Sequence, residues 1–435
     1  MDATAQSAQY RQKLRTPAEI AAMIQPGSEL LMEIALSQPR EIIAALGARQ
    51  AGAGGPDITV HSLLDLYPFP WFRPGSGSEV RGVSWFSGGQ ARAAVNGGFA
   101  DVMPCYYRDI PSLLRLNPQI RTVCVAVSPM DKHGYFSMGT NSSAAADILT
   151  RADCIFLEVN RQMPRSLSAP VIHLSQVTAL CECDYALPVS PPPVVDEVSA
   201  RIGGAIAAEV PDGATLQLGI GAVPDAVGMA LKDKHDLGIH TELFTDSMME
   251  LIECGAVTNA RKPIHRGKSV ATFAFGSKRI YDYVDDNPAI EILPVDYVND
   301  PKVIARHPDF ISVNAAVEVD FFGQVCAESV GTRHVSGTGG QVDYVRGAVE
   351  SDGGKSFIAF PSTAKGGEVS RIRPTLTPGS IVTTSKNDVD CIVTEYGIAR
   401  LRGRTLSQRT RALIAVAHPK FRDELTFEAK KAGIL

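Results

Sequence analysis

Residues Ala214–Asp233 read ATLQLGIGAVPDAVGMALKD. The run ATLQL is a short apolar stretch of strand type, and Gly219 and Gly221 break it at once. Pro224 falls where the first turn of a helix accepts proline, and the rest continues with helical spacing. Strand, glycine turn and helix in one short stretch is the unit from which α/β domains are built. The rhythm recurs on both sides. Upstream, Asp57–Leu64, Arg121–Val127 and Cys154–Asn160 are apolar or β-branched runs bounded by turn residues. Pro17–Ile24 and Arg40–Gln50 carry helical spacing, the second stopped by AGAGGP. Downstream, Asp196–Glu209 reads as a helix. Val270–Phe275, Glu291–Pro294, Phe310–Val313, Ser356–Phe360, Ser380–Thr384 and Cys391–Thr394 read as strands. Three successive prolines in SPPPVV, Ser190–Val195, fit neither a helix nor a central strand. The chain is therefore expected to divide there into an α/β domain at 1–189, a linker at 190–195 and an α/β domain at 196–435. No close sequence repeat relates the halves.

A chain of 435 residues exceeds one ordinary domain, and 45% hydrophobic against 20% charged residues supplies a core, which excludes a disordered protein. The net charge of −5 argues against a nucleic-acid or anionic-membrane binder. No apolar run reaches transmembrane length. The start, MDATAQSAQYRQKLR, lacks the apolar core of a secretory signal, and its three basic residues against one acid read as an organelle presequence or a solvated helix start. The eight cysteines include no CxxC pair, so no zinc or other metal site is expected. Several lie in apolar runs and read as buried, reduced thiols, which places the chain in the cytoplasm. Between Lys355 and Arg411 ten basic residues face four acidic ones. That segment is either a site for an anionic small ligand or a solvated face.

Five stretches could carry chemistry. QLGIGAVP, Gln217–Pro224, brings bare backbone N–H groups to a helix start, where an oxygen can approach. It fails as a GxGxxG dinucleotide fingerprint, because Pro224 stands in place of the third glycine; no nicotinamide or flavin is expected. GIHTELFTD, Gly238–Asp246, sets Glu242 among Leu237, Ile239, Leu243 and Phe244, where a carboxylate is paired, turned to the surface or functional. His235 and His240 do not match a zinc helix. GTRHVSGTGGQVDY, Gly331–Tyr344, clusters Gly337, Gly339 and Gly340, which make either a ligand-pressing loop or a merely flexible one. Just before it Asn314 ends an apolar run, as a hydrogen-bond donor or a turn former. AKGGEVSRIRP, Ala364–Pro374, offers Lys365, Arg371 and Arg373 to phosphates without being a P-loop. VSPMDKHGYFSMGTN, Val127–Asn141, holds Asp131 and His133 but no serine-hydrolase elbow.

Taken in order, SPMDKHGYFSMG, QLGIGAVPDAV, GIHTELFTDSMMEL, SVNAAVEVDFFGQV, SGTGGQVDY, FIAFPSTAKGGEVSRIRP, VTEYGIARLRGRT and AHPKFRDEL resemble the acetyl-CoA hydrolase/transferase family of class I CoA-transferases, closest to the 4-hydroxybutyrate and itaconate enzymes. The resemblance runs from about Val127 to Leu425. It implies two open α/β domains with the active site between them, and a homodimer or homotetramer. It implies that Glu242 is the catalytic carboxylate. Gly337, Thr338, Gly339 and Gly340 would lie at the coenzyme A thioester and its oxyanion. Asn314 would stand beside the carbonyl oxygen, with Gly219 and Gly221 supplying further backbone. Coenzyme A enters as substrate. The expected reaction moves it between a short-chain acyl-CoA (acetyl-, succinyl- or butyryl-) and an acid such as 4-hydroxybutyrate or itaconate, through acyl-glutamyl anhydride and glutamyl-CoA intermediates. Every nucleophile is already an anion, so neither metal nor general base is required. Lys365, Arg371 and Arg373 are candidates for the coenzyme A phosphates. Upstream of about Ser87 the sequence departs from the 4-hydroxybutyrate pattern. Arg73 and Arg108, in N-terminal loops, are candidates for the second charge of a dicarboxylate. A short-chain acyl-CoA hydrolase and a non-catalytic sensor are the alternatives.

Overall fold

The computed structural model describes residues 3–191 and 193–435. Pro192, inside the expected linker, lies outside the described residues, as do Met1 and Asp2. The chain forms two compact units. The first holds the chain up to Pro191 together with a returning segment, Ala271–Tyr297; the second holds the chain through Val270 and Val298–Leu435. The single division expected from the prolines does not include that return. Backbone hydrogen bonds fix it in the first unit: Ala274 N–H donates to Thr140 O at 2.8 Å, and Val295 N–H to Ser143 O at 3.0 Å.

Seven parallel strands form the core of the first unit. They are β1 (Glu29–Ile34), β2 (Ile58–Leu63), β3 (Val80–Phe86), β4 (Ala100–Val102), β5 (Ile120–Val127), β6 (Cys154–Asn160) and β7 (Ala179–Cys183), in the order β4-β3-β2-β1-β5-β6-β7. Leu30 pairs with Val60 on one side and Thr122 on the other. Helices cover the faces, so the strands read as continuous apolar runs such as VCVAV in β5. Leu30, Met32, Val60 and Phe156 pack with Ile42 and Leu46 of helix α1 (Arg40–Gly47). Each such side chain contributes about 1.5–3 kcal/mol by leaving water. Strand order reverses between β1 and β5, and a doubly wound sheet opens its crevice at the carboxyl ends flanking such a point.

In the second unit β8 (Thr215–Leu218), β9 (Gly238–Ile239), β10 (Phe310–Asn314), β11 (Lys355–Ala359), β12 (Cys391–Thr394) and β13 (Gly397–Arg400) form a sheet ordered β9-β8-β10-β11-β12-β13. All pairs are parallel except the last. Its reversal lies between β8 and β10. Helices α2 (Glu197–Ala207), α3 (Ala222–Ala230), α4 (Asp246–Glu253), α5 (Gln341–Glu350), α6 (Leu406–Val416) and α7 (Pro419–Lys431) complete the unit. The stretch Ser380–Thr384 is not a strand. It is held by an isolated antiparallel bridge between Thr384 and Val325, with Thr383 N–H donating to Val325 O at 2.8 Å, and by Ile381 N–H donating to Ser329 Oγ at 2.9 Å. Val270–Phe275 is broken into Ser269–Ala271 and Phe273–Ala274. Among the described residues no helix is long and apolar enough to cross a membrane.

Candidate active site

Three neighbouring parallel strands of the second unit deliver the expected site residues to one edge. Gly219 follows β8, Glu242 follows β9 and Asn314 ends β10. Crossover helix α5, joining β10 to β11, starts at Gly340 and brings its positive N-terminus to the same edge.

The backbone leading into Glu242 is pinned. His240 N–H donates to Leu216 O at 3.1 Å and Thr241 N–H to Val270 O at 3.0 Å. The buried His240 ring contacts Val298 O through Nε2 at 2.7 Å, which fixes the backbone just before Asn299. From there Asn299 Nδ2 donates to Glu242 Oε2 at 2.8 Å, and Tyr344 OH donates to Asn299 Oδ1 at 3.1 Å. Both partners are buried. The Gly340 backbone N–H is the second donor to the Glu242 carboxylate. A Cβ at position 340 would overlap both Glu242 Oε2 and Asn299 Nδ2, so only glycine lets the helix end come this close. Glu242 is half-buried. Burial pushes its carboxyl up to about 7, against the opposing pull of Asn299 and Gly340.

The glycine loop ahead of α5 is braced from below. Gly339 takes φ +62°, a conformation costly for other residues. Thr338 Oγ1 donates to Glu328 Oε2 at 3.1 Å, and Thr383 Oγ1 to Glu328 Oε1 at 2.8 Å. Val335 N–H reaches Glu328 O at 2.9 Å. Asn314 is tied into a buried network, donating to Ser312 Oγ at 2.9 Å and Gln217 Oε1 at 3.2 Å. Gly219 gives its N–H to Val313 O at 2.9 Å, so that donor belongs to the sheet rather than to an oxyanion. Gly221, at φ +118°, heads α3.

The cations divide. Lys365 is exposed in the turn between two short strands. Arg371 turns inward, donating to Ala316 O at 3.4 Å, and burial lowers its pKa. Arg373 lies 3.6 Å from the buried Glu318, which also accepts from Thr377 and Ser380. Other charges of the basic segment knit the fold: Lys355 and Arg400 both pair with Glu209. In the first unit Arg73 is exposed, and Arg108 Nε faces Asp109 Oδ1 at 3.4 Å. Asp131 accepts from the His133 and Tyr135 N–H groups and from Arg165, a turn rather than an acid–base pair. Asn299, Tyr344 and Glu328 were not legible as site residues. Beside Asn314, Gln217 carried a sequence signal of that network, an amide inside a buried strand that must find a partner.

Family models described as the acetyl-CoA hydrolase/transferase N-terminal and C-terminal domains match residues 1–191 and 276–429. The chain belongs to the acetyl-CoA hydrolase/transferase family. It is 44% identical over 423 residues to the succinyl-CoA:cyclohexane-1-carboxylate CoA transferase of Geobacter metallireducens, covering 97% of this chain and 96% of that one. To the 4-hydroxybutyrate coenzyme A transferase of Clostridium kluyveri it is 43% identical, covering 97% and 98%. The crystal structure of RipA from Yersinia pestis superposes with a TM-score of 0.94 at 39% identity, covering all of both chains. An acetyl-CoA hydrolase of Yarrowia lipolytica is more distant, at 27% identity over 71% of this chain and 65% of that one. Within the family the chain is therefore an enzyme of the CoA-transferase type.

Proposed function

We propose that this enzyme carries coenzyme A between a short-chain acyl-CoA and a carboxylic acid, with Glu242 as the covalent carrier. The observation behind this reading is the Glu242 carboxyl, desolvated yet aimed by Asn299 and the Gly340 N–H at a helix N-terminus. A carboxylate stripped of water and held in place is a competent nucleophile toward a thioester. Its oxygen attacks the acyl carbonyl, and collapse of the tetrahedral intermediate expels coenzyme A thiolate and leaves an acyl-glutamyl anhydride. The thiolate then attacks the glutamyl carbonyl. The acyl group departs as a carboxylate, leaving a glutamyl-CoA thioester. An acceptor carboxylate reverses both steps. Each intermediate bears an oxyanion that needs fixed N–H donors, and loss of one donor in such sites typically costs roughly 3–4 kcal/mol. The backbone of the glycine loop over Gly337–Gly339 is the group to supply them, since the Asn314 amide is spent on Ser312 and Gln217 and the Gly340 N–H on Glu242, and exposed Lys365 is the cation for a coenzyme A phosphate.

Monocarboxylic acids of the kind named for the relatives are the expected acceptors. Should a dicarboxylate such as itaconate or succinate serve, Arg73 and Arg108 are the cations for its second charge; replacing both then lowers dicarboxylate use relative to acetate. The test of the function is acyl-CoA consumption with and without a panel of acids. Acid-dependent turnover with ping-pong kinetics supports the transferase, acceptor-independent turnover makes the enzyme a hydrolase, and no turnover with any acid overturns the reading.

A further inference from the structure

We infer that His240 is a positioning residue for the transfer step: its hydrogen bond to Val298 O holds Asn299 in line with Glu242. The inference rests on the transferase reading of Glu242. His240, Glu242, Val298, Asn299 and Tyr344 all belong to the second unit. His240 lies two residues before Glu242, and Val298 immediately precedes Asn299. One ring thus ties the segment that carries the nucleophile to the segment that carries its donor, across 2.7 Å. A carbonyl oxygen only accepts, so the ring nitrogen donates, and His240 carries a proton on Nε2.

An imidazole is a costly way to fill this place. His240 is fully buried, and among the described residues its Nδ1 has no partner. His307, its ring centroid 5.0 Å away, is also fully buried, with both nitrogens bare among the described residues. Phe310 packs against both rings. A buried polar atom left bare lowers stability, so packing alone favours a phenyl ring at 240. What only the imidazole supplies is the bond to Val298. The setting also keeps that bond constant. Burial holds His240 neutral, and His307, Lys262 and His265 oppose a charge on it in the same direction. Lys262 is itself buried, its Nζ donating to Ile239 O and Lys268 O, both at 2.7 Å.

Asn299 converts this position into chemistry. Its Nδ2 donates to Glu242 Oε2 at 2.8 Å, and Tyr344 OH, donating to Asn299 Oδ1 at 3.1 Å, sets which end of the amide faces the carboxyl. Tyr344 orients the side chain; His240 fixes the backbone from which it hangs. The Asn299 bond favours the Glu242 anion against burial, so a slack backbone loosens the aim and lets the carboxyl hold its proton to higher pH. His240 acts only through Asn299, and its loss therefore falls on kcat and on the ionisation of Glu242 rather than on the KM for acyl-CoA.

The test compares the full chain with His240→Phe, which fills the space without a donor, and His240→Gln, whose amide N–H takes the place of the imidazole Nε2. In His240→Phe kcat should fall about tenfold, the scale of one hydrogen bond, with the acyl-CoA KM held. The rising limb of kcat/KM should also move above its place near 7, which a merely structural role would not do, and His240→Gln should recover both rate and limb. A folded His240→Phe with an unmoved limb, or a His240→Gln that shows the full loss, overturns the inference. If His240→Phe does not fold, nitrogen-15 spectra of the unaltered chain, assigned with His240→Gln, decide: a neutral ring protonated on Nε2 supports it, and a charged ring or a proton on Nδ1 overturns it. Should the unaltered chain transfer to no acid, the transferase reading fails, and the Glu242 carboxyl is titrated directly by carbon-13 NMR. A titration raised in His240→Phe and restored in His240→Gln supports the positioning; an unmoved one overturns it.

Discussion

Glu242 in the second unit and Glu33 in the first make an instructive pair. Each stands at the carboxyl edge of a parallel sheet, Glu33 at the reversal of strand order and Glu242 one strand away from it. Burial pushes both carboxyls from 4.5 up to about 7. They differ in what holds them. Glu242 has an amide donor at 2.8 Å, itself locked by Tyr344, and a helix N-terminus behind it. Glu33 has two long bonds to Oε2, from Asn141 and the Ile34 N–H, and the Ser143 hydroxyl beside it. Desolvation alone raises a carboxyl's pKa; directed donors turn the raised carboxyl into an aimed nucleophile. The contrast separates a carboxyl that is held and aimed from one that is only buried.

The harshest challenge to this contrast is Glu242→Gln, which keeps shape and removes the nucleophile. Transfer should fall by at least about 10⁴-fold, with folding retained. Full turnover in this variant would overturn the role assigned to Glu242.

Removing the aim should come next. Asn299→Ala is expected to lower kcat by about 10²-fold. Because the Asn299 amide favours the Glu242 anion, its loss also moves the pH profile. In the unaltered enzyme kcat/KM should rise with pH through about 7 as Glu242 ionises, and in Asn299→Ala that limb should lie higher. An unshifted limb would mean that Asn299 does not govern the carboxyl. Gly340→Ala, whose methyl must displace Glu242 or Asn299, should act in the same direction.

Glu33 predicts an effect on stability. Its folded pKa lies above its unfolded one, so it contributes stability in full below 4.5 that is lost as pH rises through about 7. Glu33→Gln should therefore gain about 3 kcal/mol over the unaltered chain at pH 8 relative to pH 4, read from denaturant unfolding. A pH-independent difference would show that Glu33 is not desolvated. Smallest of all, Thr338→Val unhooks the glycine loop from Glu328 and should raise the acyl-CoA KM about threefold, on the scale of one neutral hydrogen bond.

The alternation of apolar strand and glycine-led helix was plain in the sequence, and Cys154–Asn160 and Cys391–Thr394 form strands over those very residues. β1 was not read, because ELLMEI carries a glutamate that ordinarily marks a surface and here is buried. The returning segment was invisible for another reason: its place depends on bonds to Thr140 and Ser143, far away in sequence. At the site, Glu242 and the glycines stood out by residue type and family pattern. Asn299 did not, since in YVNDP an asparagine before Asp-Pro reads as a turn. Arg373 looked like a phosphate cation until Glu318, distant in sequence, was found beside it.

The central claim is that Glu242 becomes covalently loaded. Incubating the enzyme with acyl-CoA alone, quenching with acid and digesting it should yield a peptide spanning Glu242 that carries coenzyme A in thioester linkage, absent from Glu242→Gln. An unmodified Glu242 peptide under turnover conditions, or coenzyme A on another residue, would contradict the account.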